Sequence, residues 1–171
     1  MSKLNQKTID AINKQINSEF FSAYAYLSLV SYFEEQNLEG FAHWMRVQYD
    51  EEIAHAMRLF NFLLDHDTKV TLLTIEQPRS AFDSPVDAVA FVYGHEQKVS
   101  QQIHELYELA MQEKAYTVKV EMEWFISEQL EEEKTSRSIL DRIKMVGKDT
   151  AALFSLDREL SARPAFNPAA E

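Results

Sequence analysis

The sequence predicts an all-α fold: a four-helix bundle with one long crossover and a short fifth helix near the C-terminal end. Three observations carry that prediction. Only three glycines and four prolines occur in 171 residues, so turn chemistry is scarce. Four long segments place apolar residues at alternating steps of three and four, the spacing of one buried helix face. Among the connections between them, a single one is long.

The first helix is expected from about Thr8 to Glu35, ending before the break N-L-E-G at 37–40. The second runs from Phe41 to about His66. The long connection follows, D-T-K-V-T-L-L-T-I-E-Q-P-R-S-A-F-D-S-P, β-branched and proline-bearing, hence extended. Ser84-Pro85-Val86-Asp87 is a helix start, with serine as N-cap, proline at the first helical position and an acid at the third. The third helix reaches about Gln112, and a short K-A-Y joint leads to the fourth, which ends near Val146 with Gly147 as C-cap. A short fifth helix begins after Asp149 as N-cap. Residues 1–171 thus read as a single domain: bundle over about 5–146, fifth helix over about 149–160, and an extended or loose tail over 161–171. Two short joints make antiparallel neighbours, and the long connection lets helix three start at the far end from where helix two stopped.

Composition narrows the chemistry. Without cysteine there are no disulfides, thiolate zinc sites or iron–sulfur clusters. With 28 acids against 17 bases the net charge is −11, which disfavours nucleic acid and suits cations. The N-terminus M-S-K-L-N-Q-K-T-I-D has no continuous apolar core, and no run approaches the roughly 18 apolar residues of a membrane span. A cytoplasmic protein with neither membrane nor nucleic-acid partner is expected.

Following the apolar seams brings out a conflict. Helix one gives Ile9, Ile12, Ile16, Glu19, Ala23, Tyr26, Val30 and Phe33; helix two gives Phe41, Met45, Gln48, Glu52, His55, Leu59 and Phe62. Helix three gives Val89, Val92, Glu96, Val99, Ile103 and Leu106; helix four gives Val118, Met122, Phe125, Gln129, Glu132, Ser136, Ile139 and Ile143. Each seam is apolar for most of its length and carries strongly polar groups near its middle. Counted from the joints at about 1.5 Å per residue, Glu19, Glu52 with His55, Glu96, and Gln129 with Glu132 fall at one level. Four ionised carboxylates in a dry layer cost several kcal/mol each if unpaired. Two divalent cations would neutralise them, with His55 adding a nitrogen ligand on the same helix face as Glu52. Oxygen-rich ligation with one imidazole suits iron or manganese.

Around these positions the chain reads N-S-E-F-F-S-A-Y-A-Y, D-E-E-I-A-H, G-H-E-Q and W-F-I-S-E-Q-L-E-E-E-K, and over essentially its whole length it resembles the bacterial non-haem ferritins. The resemblance implies a ferritin-like bundle and a hollow shell of 24 subunits that oxidises Fe(II) with O2 or H2O2 at an intra-subunit di-iron centre and stores Fe(III) mineral. It implies that Glu19, Glu52 and His55 hold one iron, that Glu52, Glu96 and Glu132 hold a second, and that Gln129 stands beside the centre. It further implies a redox-active role for Tyr26, which could supply an electron, and a third iron site at Glu51, Glu128 and Glu131, with Glu132 shared. The bacterioferritin pattern differs. It has glutamate at the place of Gln129, histidine at that of Glu132, and a haem-ligating methionine where this chain has Ile53, so no haem is expected. Rubrerythrin-like proteins would need cysteines. His43, His66, His95 and His104 read as structural or surface residues; the sequence leaves iron's entry route open, since near the start of helix four Glu121 and Glu123 would suit a pore but Lys119 beside them is not acidic. The main alternative is a di-iron carboxylate oxidase acting on an organic substrate; a purely structural acidic assembly is the third reading.

Overall fold

In the computed structural model, which describes residues 4–167, five helices follow in order: α1 (Gln6–Glu35), α2 (Glu39–Asp65), α3 (Pro85–Gln112), α4 (Tyr116–Val146) and α5 (Thr150–Leu160). No strand occurs among the described residues. α1 starts slightly earlier than expected because the Asn5 side chain caps it, accepting from the Thr8 amide at 2.8 Å. The break after α1 is made by Asn37, at φ 56°, a left-handed conformation that asparagine tolerates well. α2 starts at Glu39 rather than Phe41, although its N-cap Leu38 offers no side-chain acceptor. The missing acceptor comes from α5: Asp157 Oδ1 takes the Phe41 amide at 3.0 Å.

The third helix begins as the sequence predicts, with the Ser84 side chain accepting from the Asp87 amide at 3.1 Å and Pro85 opening the first turn. Tyr116 belongs to α4 and not to the joint before it, where Lys114 turns the chain at φ 56°. α4 ends at Gly147, φ 57°, and Asp149 caps α5 through the Ala152 amide at 3.1 Å.

α1 packs along α2 and α3 along α4, while α5 lies against α2 and α4. Between Asp67 and Ser84 the chain is extended and follows α1: the Thr71 amide donates to Asn13 Oδ1 at 2.9 Å, and Ser28 Oγ donates to the Arg79 carbonyl at 3.1 Å. It thereby advances along α1 in the same direction as α1 itself, which confirms the long crossover.

The apolar core forms two clusters. One joins Tyr26, Leu29 and Phe33 of α1 with Phe41 and Met45 of α2, Val89 and Val92 of α3, Ile139 and Ile143 of α4, and Leu156 of α5. The other joins Ile12 and Ile16 with Leu59, Leu63, Ile103, Leu106, Val118, Met122 and Phe125. The expected seams depart from the buried face at two ends. Ile9 and Phe62 are half-buried, and Thr8 and Leu63 take the fully buried places. A straight helix drifts about 20° per heptad against a strict seven-residue repeat, so the buried stripe moves by one residue over these lengths.

Candidate metal centre

Between the two apolar clusters lies a polar layer contributed by all four long helices. Glu19, Glu52, His55, Glu96, Gln129 and Glu132 are all buried, none more than 7 % exposed. Helix periodicity delivers them there, since each sits on the same stripe as the apolar residues before and after it. Within the layer, Glu19, Glu52 and His55 form the tightest group: one ligand atom from each lies within 4.8 Å of the others. His55 Nδ1 is 3.6 Å from Glu52 Oε2. Trp124 and Phe125 stand edge-on to the imidazole, with ring centroids at 5.5 and 5.8 Å, and fix its plane.

Four atoms of this group have no protein partner although they are buried: Glu19 Oε2, both oxygens of Glu52, and His55 Nε2. Buried polar atoms are nearly always hydrogen-bonded, and an unpaired buried carboxylate is costly. Oxygen and imidazole donors converging in this way fit a divalent cation with a preference for oxygen and nitrogen ligands.

Glu96 and Glu132 lie in the same layer but outside that tight group, and each is held by neighbours. Tyr26 donates its hydroxyl hydrogen to Glu96 Oε1. Gln129 Nε2 donates to Glu96 Oε2 at 3.1 Å and also faces the Glu96 carbonyl at 3.3 Å. Glu132 Oε2 accepts from Gln48 Nε2 at 2.7 Å, and Glu19 Oε1 accepts from Gln15 Nε2 at 2.8 Å. Burial raises the pKa of Glu52 well above the ordinary carboxylate range, and the charges of Glu19 and Glu96 push it further. Glu96 is raised to about 7 by burial, with the hydrogen bonds from Tyr26 and Gln129 opposing the rise. Glu132 is raised by burial and by Glu96 and Glu51, against the opposing effects of Gln48 and Arg163. Tyr26 is likewise raised, by burial first and by Glu96 and Glu52 next, which keeps its hydroxyl protonated as a donor. The layer therefore resists ionisation unless positive charge enters it.

Glu51, Glu128 and Glu131 do not converge as compactly. Glu51 is half-buried and receives both its oxygens' contacts, at 2.9 Å each, from Arg163 Nη2; Glu128 is half-buried and Glu131 exposed. The acids named for a pore are paired: Glu121 with Arg58 at 2.5 Å, and Glu123 with Lys119 at 2.6 Å. His95 is buried, with Nε2 2.8 Å from Ser22 Oγ; burial, with Lys98 nearby, lowers its pKa to about 4 and keeps it neutral. His66 bridges the Phe62 carbonyl and Thr117 Oγ1, at 2.8 and 2.9 Å.

Two groups were not foreseen. Gln15 and Gln48 orient carboxylates of the layer; Gln48 stood on the expected seam, and Gln15 lies one helical turn before Glu19, so their positions carried a signal. Arg163 carried none. The tail, expected extended or loose, is fixed at this residue: its carbonyl is 2.8 Å from His43 Nε2 and its guanidinium reaches Glu51 and Gln48.

Comparison with known proteins agrees with this geometry. The ferritin-like domain family matches residues 9–146. The chain is 32% identical over 164 residues to a bacterial non-heme ferritin of Staphylococcus epidermidis, covering 96% of this chain and 98% of that one. It is 34% identical over 158 residues to the bacterial non-heme ferritin of an Escherichia coli strain, covering 92% and 96%. Among solved structures, an open-pore ferritin of the hyperthermophilic archaeon Archaeoglobus fulgidus superposes with a TM-score of 0.94 at 44% identity, over 96% of this chain and 100% of that one. A closed form of the A. fulgidus ferritin, engineered by mutagenesis, gives the same values. Five helices in this order, a buried carboxylate layer at mid-bundle and full-length matches of this kind lead to one conclusion: the chain belongs to the ferritin-like family, with the ferritin four-helix bundle and its short C-terminal helix.

Proposed function

We propose that the chain is an iron-storage protein with ferroxidase activity. It takes Fe(II) as substrate into the buried layer, oxidises it with O2 or H2O2, and stores Fe(III) as mineral in a hollow homo-oligomeric shell of 24 subunits in the cytoplasm. The observation that carries this reading is the set of buried, unpartnered ligand atoms on Glu19, Glu52 and His55. Glu19, Glu52 and His55 hold one iron; Glu52, Glu96 and Glu132 hold the other, so that Glu52 serves both. Two divalent ions balance the four carboxylates of the layer. Glu51, Glu128 and Glu131 serve a third iron once Glu51 leaves Arg163. Tyr26 and Gln129 orient Glu96 by hydrogen bonds, and Tyr26 gives one electron to the O2 or H2O2 being reduced at the centre as its hydroxyl proton passes to Glu96.

The shell accounts for surface features that a lone bundle would not need. Leu72, Leu73 and Ile75 of the crossover are exposed beside Ile16 and Phe20, an apolar patch suited to contact with another copy. No helix among the described residues is long and apolar enough to cross a membrane. An oxidase acting on an organic substrate would need a pocket at the carboxylate layer. Two surface clefts, of about 500 and 450 Å3, lie elsewhere, around Lys7 and Lys14 and around Trp44 and Arg142.

Aerobic addition of Fe(II) to purified protein tests the reading. Rapid oxidation, followed by iron co-eluting with a particle of several hundred kilodaltons, is the expected result. A monomer that neither oxidises nor retains iron would overturn it.

A further inference from the structure

Resting on the reading of Glu132 as a ligand of the second iron, we propose that Arg163, from the segment after α5, is a positioning residue of the metal centre that acts on Glu132 through the amide of Gln48.

The chain of contacts runs from the surface to the buried layer. Arg163 Nη1 donates to Gln48 Oε1, and Gln48 Nε2 donates to Glu132 Oε2 at 2.7 Å. Gln48 is 1 % exposed, so its amide is shielded from bulk solvent and is held by its protein neighbours. An amide can present either end to a neighbour, and its two neighbours decide the matter. A guanidinium only donates and a carboxylate only accepts, so a Gln48 held between them has one orientation. With the guanidinium gone, the carbonyl end of Gln48 loses its partner, and a flipped amide would direct an acceptor at Glu132.

Arg163 is itself fixed at three points. Nη2 contacts both oxygens of Glu51 at 2.9 Å, Nη1 holds Gln48, and the Arg163 carbonyl sits 2.8 Å from His43 Nε2. The guanidinium thus uses two nitrogens of one rigid plane on two different partners, Nη2 on Glu51 and Nη1 on Gln48, a fork that lysine's single ammonium does not reproduce. Arg163 therefore fixes which end of Gln48 faces Glu132, and with it the position of the one carboxylate oxygen that Gln48 engages.

The test is anaerobic titration of the full-length assembled protein with Co(II), a redox-silent probe, followed by its visible absorption and by calorimetry. The variants are Arg163→Met, Arg163→Lys, Gln48→Leu, Arg163→Met/Gln48→Leu and Glu132→Gln. Wild type is expected to take two equivalents at the buried layer, counted apart from any further ion at Glu51, Glu128 and Glu131. Arg163→Met should leave the first unchanged and weaken the second about tenfold, the scale on which groups that orient metal ligands act. Arg163→Lys should recover only part of that loss. If the effect passes through Gln48, the double variant will be no weaker than Gln48→Leu alone, whereas two independent structural effects would add. Unchanged second-ion affinity in Arg163→Met, or additive losses in the double variant, would overturn the inference while leaving the site intact. Glu132→Gln separates the two failures: if it too keeps the second equivalent, Glu132 is no ligand, and the reading of the site falls together with the inference.

Discussion

Gly40 and Asp157 meet backbone to backbone: a Cβ built on Gly40 would lie 1.7 Å from the Asp157 carbonyl oxygen and 2.5 Å from its carbon. No side chain fits in that space, so glycine is what allows α5 to dock on the first turn of α2. The same aspartate caps that turn through the Phe41 amide, joining the two helices by shape and by hydrogen bond at one place.

Gly40→Ala is therefore expected to push α5 off α2, at a cost of about 3 kcal/mol, the upper range for overpacking a close contact. Thermal melting should show the loss, and limited proteolysis should show α5 and the following residues cut first. A variant as stable and as protease-resistant as wild type would mean that the backbones separate at little cost.

Glu52→Ala removes the carboxylate assigned to both irons. Initial Fe(II) oxidation should fall on the order of a hundredfold, because neither ion is then held beside the other. Glu96→Ala should mainly weaken one of the two ions. Both variants should keep the assembled state, since each removes a like charge from the layer. Oxidation kinetics, metal stoichiometry and size-exclusion elution check these outcomes together; a Glu52→Ala shell oxidising iron at the wild-type rate would move attention to Glu51, Glu128 and Glu131.

Metal-free protein should lose stability as pH rises. The folded-state pKa of Glu96 is raised to about 7, and those of Glu52 and Glu132 are raised as well. A raised carboxylate binds its proton more tightly folded than unfolded. Its contribution is fully present below the unfolded pKa of about 4.5 and is lost as pH climbs through the folded value. The melting temperature of the metal-free protein is expected to fall between about pH 5 and about pH 8, with a shallower fall in Glu96→Gln. Saturating divalent cation should reverse the trend, since metal ions compete with protons for the same oxygens.

Ile53 follows Glu52 where the bacterioferritin pattern places its haem-ligating methionine. The protein should be colourless as purified, without a Soret band. Stoichiometric haem, ligated for instance by Met57, which is exposed on α2, would contradict this.

The polar layer was legible because burial in a bundle is periodic. Counting threes and fours from apolar neighbours places Glu19, Glu52, His55, Glu96 and Glu132 inside, and counting from the joints places them level. The helix starts at Ser84 and Asp149 were legible because capping is local chemistry. What escaped was contact without period. Arg163 reaches Gln48 and Glu51 across more than a hundred residues of chain, and Asp157 caps a helix far away in sequence. No local pattern encodes such pairs, and neither belongs to a repeating face. Ile9 and Phe62 failed for a geometric reason, the slow drift of a straight helix against a seven-residue count.

The carboxylate layer also divides the interior. Tyr26 to Phe33 and their partners pack at one end, Ile12 to Ile16 and theirs at the other, and the layer separates the two. Evolution or an engineer can thus rework one end of the bundle, for heat tolerance or for the fit to a neighbouring copy, and leave the redox chemistry and the opposite end alone. The freedom ends at the residues that reach into the layer, Tyr26 on Glu96 at one end and Phe125 beside His55 at the other, so diversity belongs to the outer turns of the bundle and constancy to its middle.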